Sequence, residues 1–157
     1  MTKSTVKFAT AIAILLLILG CTGTGPQQEE IKNLAEDFVS AIDNGNFELA
    51  SECFLDIQGY YILHPDVASE GRVDAQNMVG DMENQYLSMV GYFQGRNVRM
   101  KRFQLGSFWD QYEGYAGFHN SIVTINAEGE DYKLTLTNII RVADKWYIMD
   151  LSGNNFE

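Results

Sequence analysis

The apolar residues of this 157-residue chain change their spacing once, near Gly95, and that change limits the possible folds more than any other feature. Ahead of it, Ile31, Leu34, Ala35, Phe38, Val39 and Ile42 recur at the spacing of one helical face, with Glu30, Lys32, Asn33, Glu36, Asp37 and Ser40 between them. After it the period becomes two, the alternation of strands that bury one face. Helices that precede strands, rather than alternate with them, call for an α+β domain with an antiparallel sheet.

Asn44-Gly45 ends the first helix, because Gly45 accepts the left-handed conformation of a C-terminal cap, and Asn46 caps a second short helix through about Leu55. Gly59 to Leu63 reads as a short strand stopped by Pro65 and followed by the polar loop Asp66 to Arg72. A third helix is expected from Asp74 as N-cap, with Val73 and Met78 as a hydrophobic staple. Its buried stripe is Met78, Val79, Met82, Tyr86, Met89, Val90 and Phe93, where methionines at helical spacing act as core filler rather than metal ligands. Four strands are expected near 97 to 106, 115 to 127, 131 to 142 and 146 to 151, as a meander.

The N-terminus carries an address. Lys3 and Lys7, an apolar run from Phe8 to Leu19 and then Gly20 have the layout of a secretory signal peptide over residues 1–20. The run is shorter than the roughly 20 residues that span a bilayer. Ile18-Leu19-Gly20-Cys21 resembles the lipobox of prokaryotic lipoproteins, which implies a diacylglyceryl group on Cys21 and an extracytoplasmic protein held to the cell-envelope membrane. Residues 21–29 then read as the lipidated Cys and a flexible tether, and 30–157 as a single domain.

Without residues 1–20 the chain keeps nine basic and twenty-one acidic residues, a net charge of −12. Such a surface repels phosphate backbones, so no nucleic-acid partner is expected. With Cys21 lipidated, Cys53 is the one remaining thiol, which excludes a disulfide within the domain and reads as a buried, inert group.

Hairpin geometry places a polar cluster. A two-residue loop with Gly129 first pairs Val123 with Leu136 and Ile125 with Leu134. A three-residue loop over Ala143-Asp144-Lys145 pairs Val142 with Trp146 and Ile140 with Ile148. One face then carries Val123, Ile125, Tyr132, Leu134, Leu136, Ile140, Val142, Trp146 and Ile148. At its end stand Ser121 beside Asn138 beside Asp150, with His119 at the edge. Those four, with Tyr60, Tyr61 and Trp146, are the candidate pocket, Asp150 serving as polar anchor or general base. The opposite face, which includes Ile139, Tyr147, Met149 and Leu151, is more apolar than a free surface requires, and suggests a homodimer or envelope-protein contact.

Other signals are weaker. His64-Pro65-Asp66 has no second ligand pair, so no metal is expected, and no glycine pattern opens a helix to cradle a phosphate cofactor. Phe108, Trp109, Tyr112, Tyr115 and Phe118 form an aromatic cluster that either caps the core or stacks on a small apolar or aromatic ligand.

The order of elements carries a resemblance. An Ala-x-x-Phe-like first helix, a Gly45-Asn46-Phe47 corner with a second short helix, a third helix, and a meander ending in Lys145-Trp146-Tyr147-Ile148 resemble the nuclear transport factor 2-like superfamily, over about residues 28 to 152. That superfamily holds ketosteroid isomerase-like enzymes and small secreted lipoproteins. The resemblance implies three N-terminal helices packed on a curved antiparallel sheet, a cone with a cavity, but it assigns no role to any residue here. The expected function is therefore a non-catalytic binding module for a small ligand or a partner protein. The alternative is an isomerase or hydratase that uses a carboxylate base in the cone.

Overall fold

The first helix opens on a proline whose missing N–H needs no partner there, one residue after the start of the described chain. The computed structural model describes residues 25–65, 73–110 and 116–152, so the signal segment, Cys21, the loop Asp66 to Arg72, Tyr112 and Tyr115, and the Val73–Met78 staple lie outside the described residues or side chains. Residues up to Glu30 form a unit separate from Ile31–Glu157; the packing below belongs to the second.

Among the described residues four helices precede a five-stranded antiparallel sheet that is not closed. They are α1 (Pro26–Asn44), α2 (Phe47–Cys53), α3 (Ile57–Leu63) and α4 (Val73–Phe93). The strands are β1 (Arg99–Gln104), β2 (Ser107–Asp110), β3 (Ala116–Ala127), β4 (Glu130–Val142) and β5 (Lys145–Ser152), in the order β1-β3-β4-β5 with β2 also on β3. α1 starts inside the segment read as tether, because proline suits a first helical position, where its missing N–H is not used. Among the described residues no helix is long and apolar enough to cross a membrane.

The α1–α2 corner forms as its residues dictate. Gly45 has φ +61°, and Asn46 Oδ1 accepts the Leu49 N–H at 3.1 Å. Ile31, Ala35, Phe38, Val39 and Ile42 from α1 and Met82, Tyr86, Met89 and Phe93 from α4 bury in one core with the sheet. Tyr86 donates its hydroxyl to the Ala41 carbonyl at 2.9 Å, which fastens α4 to α1.

The strand expected over Gly59 to Leu63 is instead helix α3. Asp56 accepts the Gly59 N–H at 2.6 Å as N-cap, and one helical face then buries Gly59 and Leu63. The capping aspartate and the packing of that face outweigh the strand preference of Tyr60-Tyr61-Ile62. Leu55 and Leu63 meet Ile140 and Val142 in a second apolar cluster, beside Tyr60, Trp109, Tyr147 and Met149.

Both hairpins differ from expectation, with different consequences. Between β3 and β4 the central residues are Glu128 and Gly129, at φ 52° and 93°, the left-handed pair that fits strand twist. The ladder therefore slides by two, setting Val123 opposite Leu134 and Ile125 opposite Tyr132, and an even slip leaves every side chain on its expected face. Between β4 and β5 the loop has two residues, Ala143 and Asp144, rather than three, so Arg141 faces Trp146 and Ile139 faces Ile148. An odd slip exchanges faces: Ile139 and Leu151 belong to the main core, while Ile140 and Val142 turn to the second cluster. The apolar character of the face expected to dimerise is thus accounted for within the chain, where α3 and the main core take those residues.

Candidate functional site

The burial pattern of three strands changes parity along one line across the sheet. In β3, Phe118 is buried with Ser121, Val123 and Ile125, which requires an extra residue, and Asn120 takes φ +56° to supply it. In β4, Leu134 and Leu136 share their core with Ile139, and the register to β5 shifts on either side of Asn138. In β5, Ile148 and Leu151 are both core, so the irregularity falls at Met149-Asp150. At the neighbouring edge, β1 and β2 are parted by Leu105-Gly106, the chain passing so close to His119 and Asn120 that a β-carbon on Gly106 has no room. The sheet is creased along Gly106, Asn120, Asn138 and Asp150, as bulges bend strands.

This crease holds the polar cluster. Ser121 is fully buried and accepts the Gly106 N–H at 3.1 Å, so it seals the break between β1 and β2 and does not reach the cleft. His119 pairs with Asn138 across the ladder, rather than with Ile140, and their side chains are joined at 2.5 Å; since an amide oxygen only accepts, His119 donates from Nδ1. Its ring stacks on Trp109 at 5.1 Å and 19°. Asn138 is thereby held in one orientation, and its own partner on β5 is Asp150, as expected.

Beside the crease lies a cleft of about 410 Å³, lined by Asn77, Asp81, Met82 and Gln85 of α4 together with Asn138, Met149 and Asp150. The four α4 residues fall at helical spacing on one face, above the crease. Of the candidate residues the structure brings Asn138 and Asp150 into the cleft, with His119 supporting Asn138. Trp146 is instead core, against Phe118 at 5.7 Å. Tyr60 packs with the second cluster and with His64 at 4.7 Å, and Tyr61 with Tyr60, all on α3 or its end. In the sequence Asn77, Asp81 and Gln85 read as the polar side of an amphipathic helix, and their spacing of four is the one signal that sets them on a common face.

Among the described residues no aromatic side chain lines the cleft. Phe108 lies against the buried Phe118 at 5.4 Å but stays 58% exposed, while Trp109 packs with the second cluster. Cys53 is buried, its thiol directed at the Leu34 and Leu49 carbonyls, and burial, with Asp37 next, pushes it up to about 12, so it stays protonated and inert. Among the described residues no three His, Cys, Asp or Glu side chains gather as a metal site would require. No family model, curated protein or solved structure matches this chain.

Proposed function

We propose that the chain is a lipid-anchored, extracytoplasmic binding module, attached through Cys21, whose cleft at the sheet crease holds a small ligand without chemical change. The observation that carries this reading is the cleft itself. Its volume of about 410 Å³ lies within the roughly 300–1,000 Å³ of small-molecule pockets, and it combines two methionine side chains with convergent amides and carboxylates. The helices packed on one face of a bent sheet support a nuclear transport factor 2-like cone as the finer description of the fold, with α3 on the opposite face as an addition to it.

Two measurements test this. Native mass spectrometry of protein extracted from its own membranes should retain a small molecule in wild type and lose it in Asp150→Leu; identical ligand-free spectra would end the cleft reading. The intact mass should carry a diacylglyceryl group that Cys21→Ser removes, together with partition into detergent. A second reading, an isomerase or hydratase, is favoured by one feature: Asp81 brings a second carboxyl to the cleft that holds Asp150. Turnover of any retained ligand by wild type but not by Asp150→Asn would move the assignment to that reading.

A further inference from the structure

We infer that the cleft ligand is a small aliphatic cation, an alkyl amine whose ammonium is held between Asp81 and Asp150 while its hydrocarbon lies on Met82 and Met149. The inference rests on the reading of the cleft as a binding site and adds the class of ligand.

Charge comes first. Among the described residues two carboxylates line the cleft and no lysine, arginine or histidine does, in a chain whose net charge is −10. An anionic ligand would be repelled by both carboxylates, and a neutral one would displace water from the half-buried Asp150 without supplying a counter-charge. A cation instead forms charge-assisted hydrogen bonds to both, which are about twice as strong as neutral ones.

The shape of the cation follows from the other walls. A quaternary ammonium is recognised by aromatic faces, and none lines this cleft among the described residues. A primary ammonium has N–H donors, and the cleft supplies their acceptors in Asp81, Asp150 and the side-chain carbonyls of Asn77 and Gln85. Met82 is 4% exposed and forms the buried floor, while Met149 stands on the strand beside Asp150. Flexible thioether chains adapt to an unbranched hydrocarbon without demanding one shape. Acid groups contributed by a helix and by a strand, each with a methionine next to it in the chain, match a ligand whose ammonium meets both carboxylates while its methylenes lie on the thioethers.

The test uses three probes of equal length and different charge, 1,5-diaminopentane, 1,5-pentanediol and glutarate, titrated calorimetrically into the full-length protein in detergent. The diamine should bind, and Asp150→Asn and Asp81→Asn should each weaken it by about tenfold or more, the worth of a charged hydrogen bond. Glu48→Gln, an exposed carboxylate on α2, should leave it unchanged. Unliganded melting temperatures of the near-isosteric variants show whether the fold is kept. Equal weakening by Glu48→Gln would mean diffuse ion pairing and would overturn the inference. Binding of the diol or glutarate in preference to the diamine would overturn the amine class yet leave a binding cleft. If none of the three binds while native spectra still show an Asp150-dependent ligand, the class is wrong and the module reading stands; if no ligand is seen either, both fall.

Discussion

The crease divides the sheet into two halves that are built on different plans. In the half nearer the β3–β4 turn, Val123, Ile125, Leu134 and Leu136 bury one face with α1 and α4, while Thr124, Lys133 and Thr135 on the other face are half-buried or exposed. In the half nearer the β4–β5 turn both faces are covered: Phe118, Ile139 and Ile148 join the main core, and Ile140, Val142 and Tyr147 join the cluster under α3. One-sided strands show a clean alternation and two-sided strands do not. The cleft sits at the junction because bulged strands cannot present an unbroken apolar face, so polar side chains collect there.

Equal truncations on the two sides should have unequal reach. Leu136→Ala, at a fully buried site in the one-sided half, should cost ~2–5 kcal/mol and lower hydrogen-exchange protection throughout the domain. Leu63→Ala removes the same atoms from the smaller cluster, and should release the amides of α3 while β3 keeps its protection. Uniform loss of protection in both variants would dissolve the distinction between the halves.

A gentler probe of the two-sided half is Gly117→Ala. A β-carbon there would lie 2.7 Å from the Trp109 ring and press on the Ile139 carbonyl, so overpacking should cost ~1–3 kcal/mol in denaturant unfolding. The two turns differ as well. Glu128-Gly129 places glycine at one left-handed position, whereas Ala143 takes φ 54° with a side chain. Ala143→Gly should therefore raise stability by ~0.5–1 kcal/mol, and an unchanged unfolding midpoint would show that this turn relaxes.

The smallest effect belongs to the rim of the one-sided half. Lys101 first, and then Asn126, hold the Asp131 carboxyl below its ordinary 3.8. A lowered folded-state value favours folding above the ordinary one and loses that benefit as pH falls through the folded one. Asp131→Asn should flatten the acid limb of the stability curve below about 3.8 and leave neutral pH nearly unchanged. The pair is exposed, so added salt should shrink the difference. Parallel acid limbs in wild type and variant would show that the ion pair does not act in solution.

How much was legible follows the same division. α1, the Gly45 corner, the Asn46 cap and the α4 stripe could be read from the chain because each rests on residues within a few positions of one another. The one-sided half kept its faces although its register was off by two, since side chains repeat every two residues. Asn138 and Asp150 were found as neighbours on the expected strands, although the loop assumed between them was one residue too long; the shift at Asn138 restored their pairing.

The amino-acid sequence by itself determined the two long helices ahead of an antiparallel sheet, the apolar faces wherever one side meets water, and the polar interruption at Asn138 and Asp150, but neither helix α3 nor the separate strand β2. Tertiary structure decided the rest: that Gly59 to Leu63 coils and covers the second face, that Ile139 and Ile140 part company, and that Asp81 lines one cleft with the strand carboxylate. Each of those depends on groups distant in sequence that gain burial or hydrogen bonds only together, and local propensities of a few tenths of a kcal/mol yield to packing of about 1.5–3 kcal/mol for each buried side chain.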